Sequence, residues 1–311
     1  MKNFFQVGVV LLAIQLSASA CSVPVFRYAL ERWPVSPYIA LIVADAPLTA
    51  DEQRAMDHLE KMSDGTSGSL NLMVRQWTSK QLAESTLADE FPKLEGGGAR
   101  LHLLFPRETM ADAPFWSGAL STEAVKKISD SPARQTLIEK ILAGDSGVFI
   151  LLECGDQKKN AEAAKALEAH VATLTEQMKL PNGIVNSGGE VSGGGPASWD
   201  PSDRLRSTIP FKVAFSSMRM AYTEDEDFLV ALLLNLPENR NVSREEPMVF
   251  SVYGRGRVLE PLVGLEELSL DIINQIAYFL TGSCSCQVKS MNPGTDLLLN
   301  HDWDRSVFDW K

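Results

Sequence analysis

Runs of continuous apolar residues alternate along this chain with segments whose apolar positions recur every three or four residues. PYIALIVAD (37–45) is almost unbroken, the pattern of a strand covered on both faces. LTADEQRAMDHLEKM (48–62) then switches to helical spacing. Thr49 is placed to cap it, Asp51 and Glu52 suit its positive end, and Ala55, Leu59 and Met62 share one face. SLNLMVRQWT (69–78) and ARLHLLFP (99–106) read as further strands. STEAVKKISD and SPARQTLIEKILAG read as helices, the second with Ser131 as cap and Pro132 in the first turn. SGVFILLECG (146–155) returns to a buried strand, and the alanine-rich stretch 156–180 is a long helix stopped by Pro181.

The second half predicts a strand over 209–220 and a helix over 223–235 with acidic residues in its first turn. Residues 245–264 read as two strands folded back through Gly254-Arg255-Gly256, and residues 265–282 as a closing helix. Strands alternating with helices argue for an α/β layered architecture. Proline, strand, glycine turn, strand and helix, in that order, resemble the C-terminal portion of a thioredoxin fold. The first half is compatible with the same fold carrying a helical insertion. The expectation is two thioredoxin-like α/β sandwich domains in tandem, with central mixed sheets flanked by helices. The resemblance implies that Pro247 is a structural proline with a cis peptide bond beside the active site. It also implies a Cys-x-x-Cys pair after the first strand. Taking 209–220 as that strand, the corresponding stretch at its end, SSMRMAYTEDED, holds no cysteine, and neither does ADAPLTADEQ in the first half.

Composition divides the chain. Residues 181–204 are rich in glycine, proline, serine and asparagine, and read as an exposed linker. The expected organisation is a leader over 1–20, a first domain over 21–180, the linker, a second domain over 205–300, and a tail over 301–311. The leader MKNFFQVGVVLLAIQLSASA has one lysine, a short apolar run and small residues before Cys21, the layout of a secretory signal. The run falls short of the roughly 20 residues that a membrane span needs. Cleavage after Ala20 exposes Cys21, as in a bacterial lipoprotein, although position 18 is alanine where leucine is usual. An exported chain is expected, periplasmic or anchored to a membrane surface through a lipidated Cys21. A formal net charge of −11 argues against nucleic acid as a partner.

Cys284 and Cys286 are the main candidates for chemistry. In an extended segment their α-carbons lie about 6.5–7 Å apart on one face. That is the edge of disulfide reach, so a bond within the pair is strained and easily reduced. Two thiolates at this spacing also suit copper in its soft monovalent form. A structural bridge is the plainer alternative in an exported protein, with Cys21 as a further partner. Cys154, inside a strand-like run, reads as a buried core thiol.

The histidines His58, His102, His170 and His301 fall in no metal-ligand spacing. Arg255 and Arg257 read as exposed charge at a hairpin tip, open to an acidic partner. The run Glu224–Asp227 suits the positive end of its helix. SVPVFRYALERW (22–33) is strongly apolar and is expected to pack on the first domain, with docking to a membrane partner as the alternative.

Four strings, CSVPVFRYALERWPVSPY, PFWSGALSTEAVKK, VYGRGRVLEPLVG and GSCSCQVKSMNPGTDLLL, together resemble an uncharacterised family of exported bacterial proteins. The resemblance implies that Cys21, Cys284 and Cys286 belong to recognisable segments, and it implies no catalytic residue and no cofactor. The functional expectation is a cell-envelope binding or accessory protein with an envelope or membrane protein partner. The alternative is a thiol-disulfide or copper-handling protein using Cys284 and Cys286, with Cys21.

Overall fold

The computed structural model describes residues 22–64, 69–92, 97–221, 227–239, 242–284 and 286–308. The leader, Cys21 and acidic residues 224–226 lie outside them. The chain opens with α1 (Val25–Arg32), β1 (Tyr38–Val43), α2 (Ala50–Ser63), β2 (Leu72–Trp77) and the short α3 (Ser79–Ala83). β3 (Arg100–Leu104), β4 (Trp116–Ala119), α4 (Thr122–Ser129) and α5 (Pro132–Leu142) follow. Next come β5 (Gly147–Leu152), α6 (Gln157–Gln177), β6 (Phe215–Met220), α7 (Asp227–Leu234), β7 (Met248–Tyr253), β8 (Arg257–Val258) and β9 (Leu262–Val263). The chain closes with α8 (Gly264–Glu267), α9 (Leu270–Thr281), β10 (Thr295–Asp296) and α10 (Trp303–Phe308).

Local chemistry sets several of these boundaries. Thr49 and Glu52 form a reciprocal capping box at the start of α2. The Ser131 side chain caps α5, with Pro132 in its first turn. Gly254 and Gly256 take φ of 61° and 93° in the β7–β8 turn, a left-handed conformation that glycine adopts without strain.

Two sheets share one plan. In the first, the order is β2-β1-β3-β4, with β1 parallel to β2 and antiparallel to β3, and β4 antiparallel to β3. In the second, β6-β5-β7-β8 repeats it: β5 is parallel to β6 and antiparallel to β7, and β8 is antiparallel to β7. β10 extends this sheet beyond β8, and β9 pairs with β7. The molecule is thus two thioredoxin-like α/β units in tandem.

The expected linker does not lie between them. β5 and α6, grouped by composition with the first half, are the first strand and helix of the second unit. Residues 181–204 therefore fall inside that unit, between α6 and β6. This stretch is folded: the Gly183 amide donates to the Ser192 carbonyl at 3.0 Å, Ile184 is fully buried, and Val185 bridges both Val191 and Arg204. Glycine here lets the backbone turn back on itself, at Gly183 (φ 85°) and Gly193 (φ 72°), rather than keeping it loose.

β5 is buried along its whole length because both faces are covered. Val148 and Ile150 belong to a core cluster that also contains Ile42 and Leu103 of the first sheet, with side chains of α4, α5 and α7. Phe149 and Leu151 face a second cluster, formed with α6, α9 and α1. One continuous apolar core therefore joins the two sheets across a shared helical layer. Trp303 and Val307 of α10 are buried in the same core.

α1 packs on the second unit, not on the first as its position in the chain suggested. Phe26 and Ala29 join the α6–α9 cluster. Arg27 and Glu31 form a buried ion pair at 2.9 Å. Arg27 Nη2 donates to the carbonyls of Ser207 and Ile209, and Glu31 accepts from the amides of Arg206 and Ser207. Burial pulls the Arg27 pKa down, while Glu31 opposes that shift. The buried charge selects the second unit because the 206–209 segment supplies acceptors for Arg27 and donors for Glu31.

Candidate functional site

In a thioredoxin-like unit, reactive groups sit where the first strand turns into the first helix. In the second unit this is the turn from β5 to α6, Glu153-Cys154-Gly155-Asp156. Cys154 is therefore not a core thiol: it lies past the strand and is half-buried. Asp156 caps α6, its carboxylate accepting from the amides of Lys158 at 2.8 Å and Lys159 at 3.2 Å. These amides, the Lys159 one first, hold the Asp156 pKa below its usual value. The Asp156 amide itself points at the Cys154 sulfur, 3.5 Å away. Asn160, fully buried one turn into the helix, holds the Cys154 backbone from both sides: its Oδ1 accepts from the Cys154 amide and its Nδ2 donates to the Cys154 carbonyl, each at 2.9 Å.

The opposite wall comes from the strand next door. β7 pairs Met248 with Leu152, which brings the preceding residues, Pro247 among them, alongside the Cys154 turn. Lys159 forms an ion pair with Glu246, and that hydrogen bond raises the Lys159 pKa. Among the described residues no peptide bond is cis, so the expected cis bond at Pro247 is corrected. The Pro247 carbonyl accepts from the Gly264 amide at 2.8 Å, anchoring the segment. Between the two walls lies a cavity of about 520 Å³, lined by Glu153, Cys154, Gln157, Arg244, Glu246 and Val230, among others. Its mixture of apolar floor and opposed charges suits a polar ligand or a peptide segment.

The turn supplies one thiol. The position three residues after Cys154 is Gln157, and the equivalent turn of the first unit, Ala44–Thr49, has no cysteine. Reading 209–220 as a first strand, when it is the second strand of its unit, hid this site. The signal was present: a buried strand, then Cys-x-x at the mouth of a helix capped by Asp156.

The C-terminal thiols lie elsewhere. α9 ends at Thr281, and the following residues run antiparallel to the start of the chain. Ser283 bridges Pro24, the Val25 amide donates to Gly282, and the Cys284 amide donates to Val23 at 2.9 Å. Cys284 is buried, and its thiol reaches the Cys286 carbonyl at 3.2 Å. Cys286 is half-buried with a free thiol, so the two are not bridged to each other. The Cys286 sulfur faces the Val288 carbonyl at 3.9 Å instead. Cys21 lies outside the described residues. Among the described residues no three histidine, cysteine or acidic side chains gather as a metal site.

Arg255 and Arg257 are a second correction. Both are buried, held by acceptors from distant segments. Arg255 Nε donates to the Leu30 carbonyl at 2.7 Å, and its Nη2 pairs with Asp304 at 2.8 Å. Arg257 pairs with buried Asp296 at 3.2 Å, and Lys289 pairs with the same carboxylate. Together Arg257, Lys289 and Asp296 line a polar cavity of about 490 Å³ with Ser36 and Thr109. No helix among the described residues is long and apolar enough to cross a membrane. No protein-family model matches this chain, and no curated protein matches it.

Proposed function

We propose that this chain is an exported, cell-envelope binding or accessory protein that uses thioredoxin-like units as scaffolds and works without a dithiol. One observation carries the reading: the two strand-to-helix turns at the reactive position hold a single thiol between them, Cys154, with Gln157 where its partner would stand. Dithiol exchange needs a second sulfur to resolve the mixed disulfide formed by the first. The cavity beside Cys154, walled by Arg244 and Glu246, provides the surface for a partner segment. Export, and attachment to a membrane through a lipidated Cys21, rest on the leader-like start of the sequence. The partner in this reading is an envelope or membrane protein.

Insulin reduction with dithiothreitol as the sole reductant tests the absence of dithiol chemistry. Insulin is expected to precipitate at the dithiothreitol-only rate with the wild-type chain and with Cys154→Ser alike. A rate many times background that disappears in Cys154→Ser would sink the reading.

A second reading, sulfur or copper chemistry at the tail, draws on the antiparallel pairing of residues 282–284 with residues 23–25. That pairing sets Cys284 and Cys286 beside the segment that follows Cys21. Alkylation and mass spectrometry on protein from its native compartment are expected to give the same thiol count before and after mild reductant. A Cys284–Cys286 pair that opens and closes at mild potential, or retains copper, moves the conclusion to this second reading.

A further inference from the structure

The first sheet has an unequal pair of faces. One is buried in the core shared with the second unit. Among the described residues the other is flanked by α3, five residues long, and by the irregular stretch that follows it. Alternation puts Ile39, Leu41 and Val43 of β1 on this open face, next to Trp77 of β2 and Leu104 of β3. Leu87 and Phe91 lean over it from one side, and Met110 and Ala111 stand on the other. Between them lies a cavity of about 510 Å³. That falls within the roughly 300–1,000 Å³ range of small-molecule sites.

The floor is apolar: Leu41, Phe91 and Leu104 are each less than a tenth exposed. His102, two residues before Leu104 on the same strand, is buried against the edge of Phe91, with its Nδ1 2.8 Å from Ser117 Oγ. Burial lowers the His102 pKa to about 4, so it adds no positive charge at neutral pH. The rim is different. Arg75 and Arg107 line the opening with exposed side chains, and among the described residues neither has a carboxylate within ion-pair distance. Among the described residues Asp112 is the one acidic residue on the lining. At the mouth stands Met110, 86% exposed and in the left-handed region at φ 52°. An adaptable thioether at a pocket mouth suits ligands of variable shape. In a chain carrying a net charge of −11, the described lining thus sets two guanidiniums against one carboxylate over an apolar slot.

We propose that this cavity binds a free single-chain amphiphile with an anionic head, the acyl chain lying on Leu41 and Leu104 and the carboxylate meeting Arg75 and Arg107. A guanidinium fork matches a carboxylate in shape as well as charge. This pocket belongs to the first unit, away from the Cys154 turn, so its occupancy is independent of thiol chemistry.

Calorimetric titration of the full chain with sodium laurate tests the assignment. Saturable one-to-one binding is expected, at least tenfold tighter than for octanoate and for dodecyltrimethylammonium. Charge reversal in Arg75→Glu/Arg107→Glu is expected to weaken laurate at least tenfold, and Ala111→Trp, which fills the slot, to do the same. Both changes lie on side chains that are at least partly exposed, and circular dichroism checks that the fold is kept. Equal affinity for the cationic surfactant, laurate affinity unaltered by charge reversal, or no saturable binding would overturn the proposal. So would co-sedimentation with phosphatidylglycerol vesicles that depends on the two arginines while free laurate fails to bind, since the site would then read a membrane surface.

Discussion

Asp296→Ala is expected to cost about 3–5 kcal/mol of stability, the range for removing one partner of a buried ionic cluster. The Asp296 carboxylate is 5% exposed and serves three groups: Arg257 at 3.2 Å, Lys289, and the Ser36 amide at 2.7 Å. Its backbone carbonyl also accepts from the Tyr38 hydroxyl at 2.5 Å. Ser36 and Tyr38 lead into the first sheet, while Arg257 is in the second, so this residue fastens one unit to the other. Alanine leaves two cations near each other with no counter-charge, and an amide without its acceptor. Asp296→Asn keeps an oxygen for Ser36 and should lose less than alanine does. Urea unfolding of both variants provides the measurement. A loss below about 1 kcal/mol for alanine, the level of an exposed pair, would show that the cluster is solvated and unimportant to docking.

Gly254→Val comes next, at about 2–5 kcal/mol. Gly254 has φ 61°, and a left-handed conformation costs a residue with a β-carbon about 1–2 kcal/mol. A β-carbon there would also lie 2.6 Å from the Ala29 β-carbon and 3.3 Å from the Ala29 carbonyl carbon. Overpacking of a close contact adds about 1–3 kcal/mol. The two contributions are separable. Gly254→Ala carries both, whereas Gly254→Ala with Ala29→Gly removes the side-chain overlap and keeps the backbone strain. Partial recovery in the double variant is the expected coupling. No recovery would mean that α1 does not press on the β7–β8 turn.

Much of the local structure was legible in the sequence. The capping box at Thr49, the Ser131-Pro132 start of α5 and the glycine turn between β7 and β8 each depend on residues within a few positions of one another. Pairing was harder to read. The run GVFILL is equally apolar whichever sheet receives it, and its neighbour β6 enters more than sixty residues later, after the folded glycine-rich excursion. Assigning that strand to the wrong unit shifted the expected reactive turn from Cys154 to a cysteine-free stretch. Arg255 and Arg257 misled for a related reason. Charge at a turn is ordinarily solvated, and acceptors from distant segments, among them Leu30, Asn292, Pro293, Asp296 and Asp304, make burial tolerable here. Short-range chemistry wrote the elements, and long-range acceptors decided which charged groups went inside.

The seat of α1 bears on the order in which the polypeptide acquires its shape as it is made. Chains grow from the amino end at about 5–20 residues per second, and early segments ordinarily collapse first. Here α1, the first helix among the described residues, docks against β7 and α9, and residues 23–25 join hands with residues 282–284. Val25, Phe26 and Ala29 share a cluster with α6, Leu205 and Phe215, made midway through synthesis, and their cover is complete only once β7 and α9 follow. An apolar helix made early thus waits on surface made late, and the pairing of residues 23–25 with 282–284 is among the last contacts the growing chain can complete.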